Sequence, residues 1–153
     1  MRRRAAVGIL CLAVVAVGIW WLLTRGGSDV AAQTLPGIPA NAFEMTVESV
    51  HDGDTLRAHV AVPNAVVTDA ESTRVRLIGV DTPEISPAPE CWGDEATDSL
   101  RAMVAPGSTV WVAADRDVHD QYGRHLLYVW TSDGHFVNAE LIAVSFMRVI
   151  LCP

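Results

Sequence analysis

Four short segments carry the residues best able to do chemistry: His51-Asp52-Gly53-Asp54-Thr55, Arg76-Leu77-Ile78-Gly79-Val80-Asp81-Thr82-Pro83-Glu84, Asp120-Gln121-Tyr122-Gly123-Arg124 and Val137-Asn138-Ala139-Glu140-Leu141. Asp52 and Asp54 flank a glycine between two strand-like stretches, so a tight turn there brings a carboxylate to the end of a sheet. Asp81 and Glu84 add two more just after a third such stretch, where Pro83 forces an extended exit. Carboxylates helped by backbone carbonyls and water suit a hard cation such as Ca²⁺. Each segment taken alone is an ordinary acidic turn; the arginines change the balance. Arg124 follows Tyr122-Gly123, a turn able to aim it at the same rim. Strict alternation puts Arg76 on the opposite strand face from Asp81 and argues against their direct pairing. An inward Arg76 would still demand anionic partners. Together, a cation held by carboxylates, a spare carboxylate and two arginines match the needs of phosphodiester hydrolysis. Metal and guanidinium groups neutralise the transition state while a base activates water.

The elements that must position these groups are legible in the periodicity. Glu44–His51, Thr55–Val62 and Thr73–Val80 read as three strands in a meander. After an irregular stretch containing Pro87, Pro89 and Gly93, a helical pattern opens at Asp94 and runs through Val104, stopping before Pro106-Gly107. Val110–Ala114 and His125–Thr131 read as two further strands joined by a polar connection over 115–124, and Phe136–Ser145 as a second helix. Five strands with a helix inserted between the third and fourth predict a small OB-type β-barrel with helices, an α+β fold.

Composition bounds the rest. The 153 residues amount to one domain with an N-terminal extension, and the net charge is −7. All 11 basic residues are arginine. From Gly26 onward, seven arginines face 18 carboxylates, a balance of −11, which disfavours a general polyanion binder. The plentiful apolar and β-branched residues argue against disorder. Residues 1–25 carry Arg2, Arg3, Arg4 and Arg25 but no acid. Ala5 to Leu23 is uncharged and, as a helix of about 28 Å, long enough to span a bilayer core of about 30 Å. It reads as a membrane anchor with the N-terminus in the cytoplasm, or as a signal peptide cleaved near Val30-Ala31-Ala32. Either puts the remaining chain in an extracytoplasmic, membrane-tethered or secreted state. Residues 26–42, rich in glycine, proline and small side chains, read as a linker, and residues 43–153 as the folded domain. In an oxidising compartment Cys91 and Cys152 invite a disulfide, with free or intermolecular thiols as the alternative. His51, His59, His119, His125 and His135 show no paired metal spacing and read as surface or satisfied histidines. Trp92, Trp111 and Trp130 read as packing residues.

The spacings DGDT, RLIGVDTPE and YGR, over about Met45 to Ile150, together resemble the thermonuclease or staphylococcal nuclease-like domain of bacterial proteins. The resemblance implies an OB barrel with helices. It implies Asp54 and Asp81 as Ca²⁺ ligands with the Thr82 carbonyl, and Asp52 close by. Glu84 would orient or deprotonate the attacking water, Arg76 and Arg124 would bind the scissile phosphate, and Asp120 and Tyr122 would support them. It implies cleavage of DNA and RNA to 3′-phosphates; no obligate protein partner is evident in the sequence. The chain departs from the pattern in lacking sequence for a third helix after the second. It also has Leu151 and Pro153 where aromatic residues support the nucleotide, Ser145 for a common glycine and Gln121 where lysine is frequent. The alternatives are a catalytically inactive OB module that binds nucleic acid or protein, and a truncated, inactive nuclease. Retention of Glu84 favours the enzyme, because a binding module has no use for a water-activating carboxylate.

Overall fold

The computed structural model describes residues 35–149, which fall within one compact unit beginning at Leu35. The expected anchor or signal segment, and with it Cys152, lies outside the described residues. Among those residues no helix is long and apolar enough to cross a membrane.

Five strands and two helices follow in the expected order: β1 (Phe43–Val50), β2 (Thr55–His59), β3 (Thr73–Leu77), α1 (Gly93–Met103), β4 (Thr109–His119), β5 (His125–Thr131) and α2 (Val137–Val149). The strands close into a barrel in the order β1-β2-β3-β5-β4. Its pairs are antiparallel except β3 with β5, so no edge is left to pair with another chain. Alternation decides the inside. Met45 and Val47 of β1, Leu56 and Ala58 of β2, and Val75 and Leu77 of β3 are buried, whereas their neighbours Glu48, Arg57 and Arg74 are exposed. Each large apolar side chain so removed from water contributes roughly 1.5–3 kcal/mol. Leu100 of α1, Val104 just past its end, and Val137 and Leu141 of α2 join the same core.

Four boundaries differ from expectation by three residues or more. β3 stops at Leu77, because Gly79 adopts a left-handed φ of 73° and the Val80 amide turns back to the Leu77 carbonyl. β2 stops at His59, since β3 begins opposite Ala58 and leaves Val60 to Val62 no partner on that side. β4 runs on to His119 through an irregularity in its register with β5, so half of the expected polar connection is strand. The second helix continues past Ser145 to Val149.

Asn138 is an internal staple. Its buried side chain accepts a hydrogen bond from the Val129 amide at 2.8 Å and donates to the Ile78 carbonyl at 2.9 Å, locking α2 to β5 and to the turn after β3. Trp130 serves as a packing residue: it is buried, stacks on Phe136 at 4.9 Å between ring centroids, and donates from Nε1 to the Pro36 carbonyl at 2.8 Å.

Candidate active site

The turn between β1 and β2 sets the floor of the site. The His51 and Asp52 amides donate to the Thr55 carbonyl, and Asp52 Oδ1 accepts from the Asp54 amide at 3.1 Å, so Asp52 shapes the turn that aims Asp54 inward. Gly53 is required there. A Cβ at this position would lie 2.6 Å from Thr82 Oγ1 and 2.7 Å from the Ala96 Cβ of α1, so the turn, the loop after β3 and α1 meet at one glycine.

Asp54 is only 2% exposed, and every oxygen is partnered. Oδ1 accepts from Thr55 Oγ1 at 3.0 Å and pairs with Arg76 Nη1. Oδ2 accepts from both the amide and the hydroxyl of Thr82, each at 3.2 Å. This is how a buried carboxylate remains tolerable.

Arg76 lies opposite Thr55 in the β2–β3 register. Its Nη2 donates to the Val80 carbonyl at 3.0 Å and to Asp81 Oδ1 at 3.1 Å. The pairing with Asp81 corrects the expectation from strict alternation. The strand has already ended at Leu77, and the left-handed turn at Gly79 brings Asp81 back to the arginine's side. Asp81 itself is 97% exposed as a side chain, the opposite of Asp54.

A second cluster sits beside the first. Asp120 closes the β4–β5 turn, its Oδ1 accepting from the Tyr122 and Arg124 amides at 2.9 Å each, and its Oδ2 pairing with Arg124 Nε at 2.6 Å. Burial pushes the Asp120 carboxyl upward, but the Arg124 amide and guanidinium and the Tyr122 amide outweigh it, and its pKa lies below the usual aspartate value. The Tyr122 ring, 65% exposed, lies 5.5 Å from the Arg124 guanidinium carbon. Arg124 Nη1 donates to Thr55 Oγ1 at 3.4 Å. Thr55 therefore joins the clusters, accepting a hydrogen bond from Arg124 and donating one to Asp54. As a threonine in a strand it carries no chemical signal in the sequence.

Glu84 is exposed, with its amide held by Glu90 Oε2 at 3.0 Å and its carbonyl by the Glu90 amide at 2.8 Å. With Arg124 it lines a pocket of about 300 Å³ completed by His51, Asp52, Thr55, Arg57 and Arg74. Arg57 and Arg74 face each other across β2 and β3. Like charges placed so are destabilising unless an anion lies between them. Neither was singled out from the sequence, because an arginine on the outer face of a strand reads as a solvated residue. The site residues thus divide. Asp52, Thr55, Glu84 and Arg124 share this pocket, and Asp54, Arg76, Asp81 and Thr82 form the adjoining network; Asp120 and Tyr122 line neither, Asp120 holding Arg124 and the Tyr122 carbonyl accepting from Arg74 Nη2 at 3.1 Å.

Among the described residues no three His, Cys, Asp or Glu side chains converge closely enough to hold a metal by themselves. The oxygen donors of Asp54, Asp81 and the Thr82 carbonyl nevertheless fit a hard cation completed by water. The two carboxylates already converge on one positive charge, that of Arg76. Cys91, at the foot of α1, is disulfide-bonded.

Fold and site together define a closed OB-type barrel with a carboxylate–arginine site at one rim. A family profile for staphylococcal nuclease homologues matches residues 74–150. The chain is 30% identical to a thermonuclease of Staphylococcus hyicus over 92% of its own length and 76% of that protein. It is 29% identical to a thermonuclease of Staphylococcus intermedius over 99% of its length and 84% of that protein. Against the endonuclease YhcR of Bacillus subtilis strain 168 it is 31% identical over 79% of its length, spanning only 10% of that much larger protein. The chain belongs to the staphylococcal nuclease homologue family.

Proposed function

We propose that this protein is a Ca²⁺-dependent nuclease that hydrolyses phosphodiester bonds of DNA and RNA outside the cytoplasm, leaving 3′-phosphates. The observation that carries the reading is the pocket in which Arg57, Arg74 and Arg124 face the unengaged carboxylate of Glu84. In a chain of net charge −7, this concentrates positive charge where a phosphate must sit, beside a base able to take a proton.

Glu84 removes a proton from a water molecule on the pocket side of the phosphate. The water oxygen bonds to phosphorus as the bond to the 5′-oxygen breaks, and that oxygen takes up a proton, giving a 3′-phosphate and a 5′-hydroxyl. Arg124, held in plane by Asp120, and Arg76, held by Asp54, stabilise the charge that accumulates on the phosphoryl oxygens. Tyr122 supports a neighbouring phosphate. Asp54, Asp81 and the Thr82 carbonyl would hold Ca²⁺, which when bound supplies further positive charge against the phosphate. The apolar segment from Ala5 to Leu23 behind three arginines, and the oxidised state of Cys91, support an extracytoplasmic domain, tethered or released, in which Cys91 pairs with Cys152.

The test is hydrolysis of single-stranded DNA and of RNA by the full chain, with Ca²⁺ and with excess chelator, followed by analysis of the product ends. Chelator-sensitive cleavage to 3′-phosphates is expected. A folded chain that binds the strands and leaves both intact would overturn the proposal in favour of an inactive binding module.

A further inference from the structure

At the far end of the β4–β5 ladder, next to the turn that carries Arg124, two histidines face each other across the strands in register. Their Nε2 atoms are 3.1 Å apart, the rings meeting edge to face at 61°. The Val66 carbonyl approaches His125 Nε2 at the same distance, 3.1 Å. His125 Nδ1 is buried without a partner, so Nε2 is the nitrogen the ring offers.

Proton counting exposes a conflict at this point. If His125 Nε2 carries the proton, its single N–H is divided between the Val66 carbonyl and a bare His119 Nε2, and a protonated His119 Nε2 would clash with it. If His125 Nε2 is bare and accepts from His119, its lone pair faces the lone pairs of the Val66 carbonyl. No placement of one proton gives both contacts a well-aligned hydrogen bond. A cation removes the conflict, because two imidazole lone pairs and one carbonyl lone pair then converge on a single positive centre.

We propose that His119 Nε2, His125 Nε2 and the Val66 carbonyl form a second metal site, for a borderline divalent transition ion of the Zn²⁺ class, distinct from the carboxylate site at the rim. Two imidazole nitrogens bound at about 2.0–2.1 Å in tetrahedral geometry stand about 3.3 Å apart, close to the separation here. Imidazole selects transition ions where carboxylate and carbonyl donors select Ca²⁺, so the two sites are chemically separate. The surroundings agree. Burial first, and the neighbouring His119 second, hold the His125 pKa below its ordinary value against the opposing pull of the Val66 carbonyl and the Asp69 charge. His125 is therefore neutral and ready to ligate near pH 7, with water completing the shell. The sequence hid the site because the ligands, six residues apart, become neighbours only through the turn over 120–124. An ion there would clamp β4 to β5 at the base of the turn that holds Arg124.

The test is titration of the full chain with zinc in the presence of a large excess of Ca²⁺, read by competition with a chromophoric chelator and by thermal unfolding. One equivalent of zinc is expected to bind and raise the melting temperature. His119→Gln alters an exposed side chain and should weaken zinc binding at least about 10-fold, the scale on which even outer-sphere partners of a metal act, and abolish the thermal shift. His135→Gln should bind as the unchanged chain does. His135 meets Asp133 through Nε2 but Glu140 through Nδ1, and these opposed atoms cannot share one ion. Absence of stoichiometric binding, binding undiminished in His119→Gln, or displacement by Ca²⁺ would each overturn the proposal.

Discussion

The floor of the site and the pocket above it are built on opposite terms. In the floor, Asp54, Thr55, Arg76 and Thr82 satisfy one another almost completely. In the pocket, Glu84 has an exposed carboxylate, and Arg57 and Arg74 face each other across β2 and β3. Mutual satisfaction fixes geometry at the cost of freedom to react; incomplete satisfaction leaves groups free to engage a ligand. Replacements in the floor should therefore act first on stability, and replacements in the pocket first on turnover.

The sharpest test is Glu84→Gln. Loss of a general base costs about 10²–10⁴-fold in rate, and because the side chain is exposed, chemical denaturation should give an unchanged midpoint. A melted variant, or one of normal turnover, would erase the distinction between the regions. Arg76→Ala is next and has the opposite signature. It leaves Asp54 buried beside an uncompensated negative charge, a situation that costs about 3–5 kcal/mol; the Thr55 and Thr82 donors remain, so the lower end is expected. Urea unfolding measures it. A loss below about 1 kcal/mol would mean that the floor is not held by this pair.

Gly53→Ala probes the floor without touching a charge. The added methyl must push aside Thr82 or Ala96, and overpacking of this kind costs about 1–3 kcal/mol. The loss should appear in the same unfolding experiment, along with weaker activity because Thr82 moves. A neutral outcome would mean that α1 yields without disturbing Asp54.

These predictions also mark what could be read in advance. The barrel follows from alternation at Met45/Val47, Leu56/Ala58 and Val75/Leu77, where side chains are either plainly core or plainly solvent. DGDT and RLIGVDTPE located the carboxylates and Arg76, and YGR located Arg124. The Arg76–Asp81 pair was hidden because alternation holds only while the strand lasts, and one left-handed glycine ended it. Thr55 was hidden because its role depends on what its hydroxyl meets across 69 residues of sequence, and Arg57 and Arg74 because a cross-strand register is invisible in a single strand. The His119–His125 pair failed for the same reason.

The smallest effect belongs to Asp120, which holds Arg124 at the edge of the pocket. Its folded-state pKa lies below the ordinary 3.8, so the unfolded chain binds the proton more readily than the native one does. The stabilisation it contributes is fully present above pH 3.8 and is lost as pH falls through the lower folded value. Asp120→Asn keeps an acceptor for the Tyr122 and Arg124 amides and removes only the ion pair to Arg124, worth on the order of 1 kcal/mol or less. Denaturant unfolding at pH 7 should show that modest difference between the unchanged chain and the variant, and the difference should shrink as pH falls below 3.8. Turnover should fall by a larger factor than stability, since Arg124 loses the carboxylate that orients it toward the pocket. If turnover and stability fell in proportion, Asp120 would belong with the floor as a purely structural residue, and Arg124 would owe its position to the turn backbone alone.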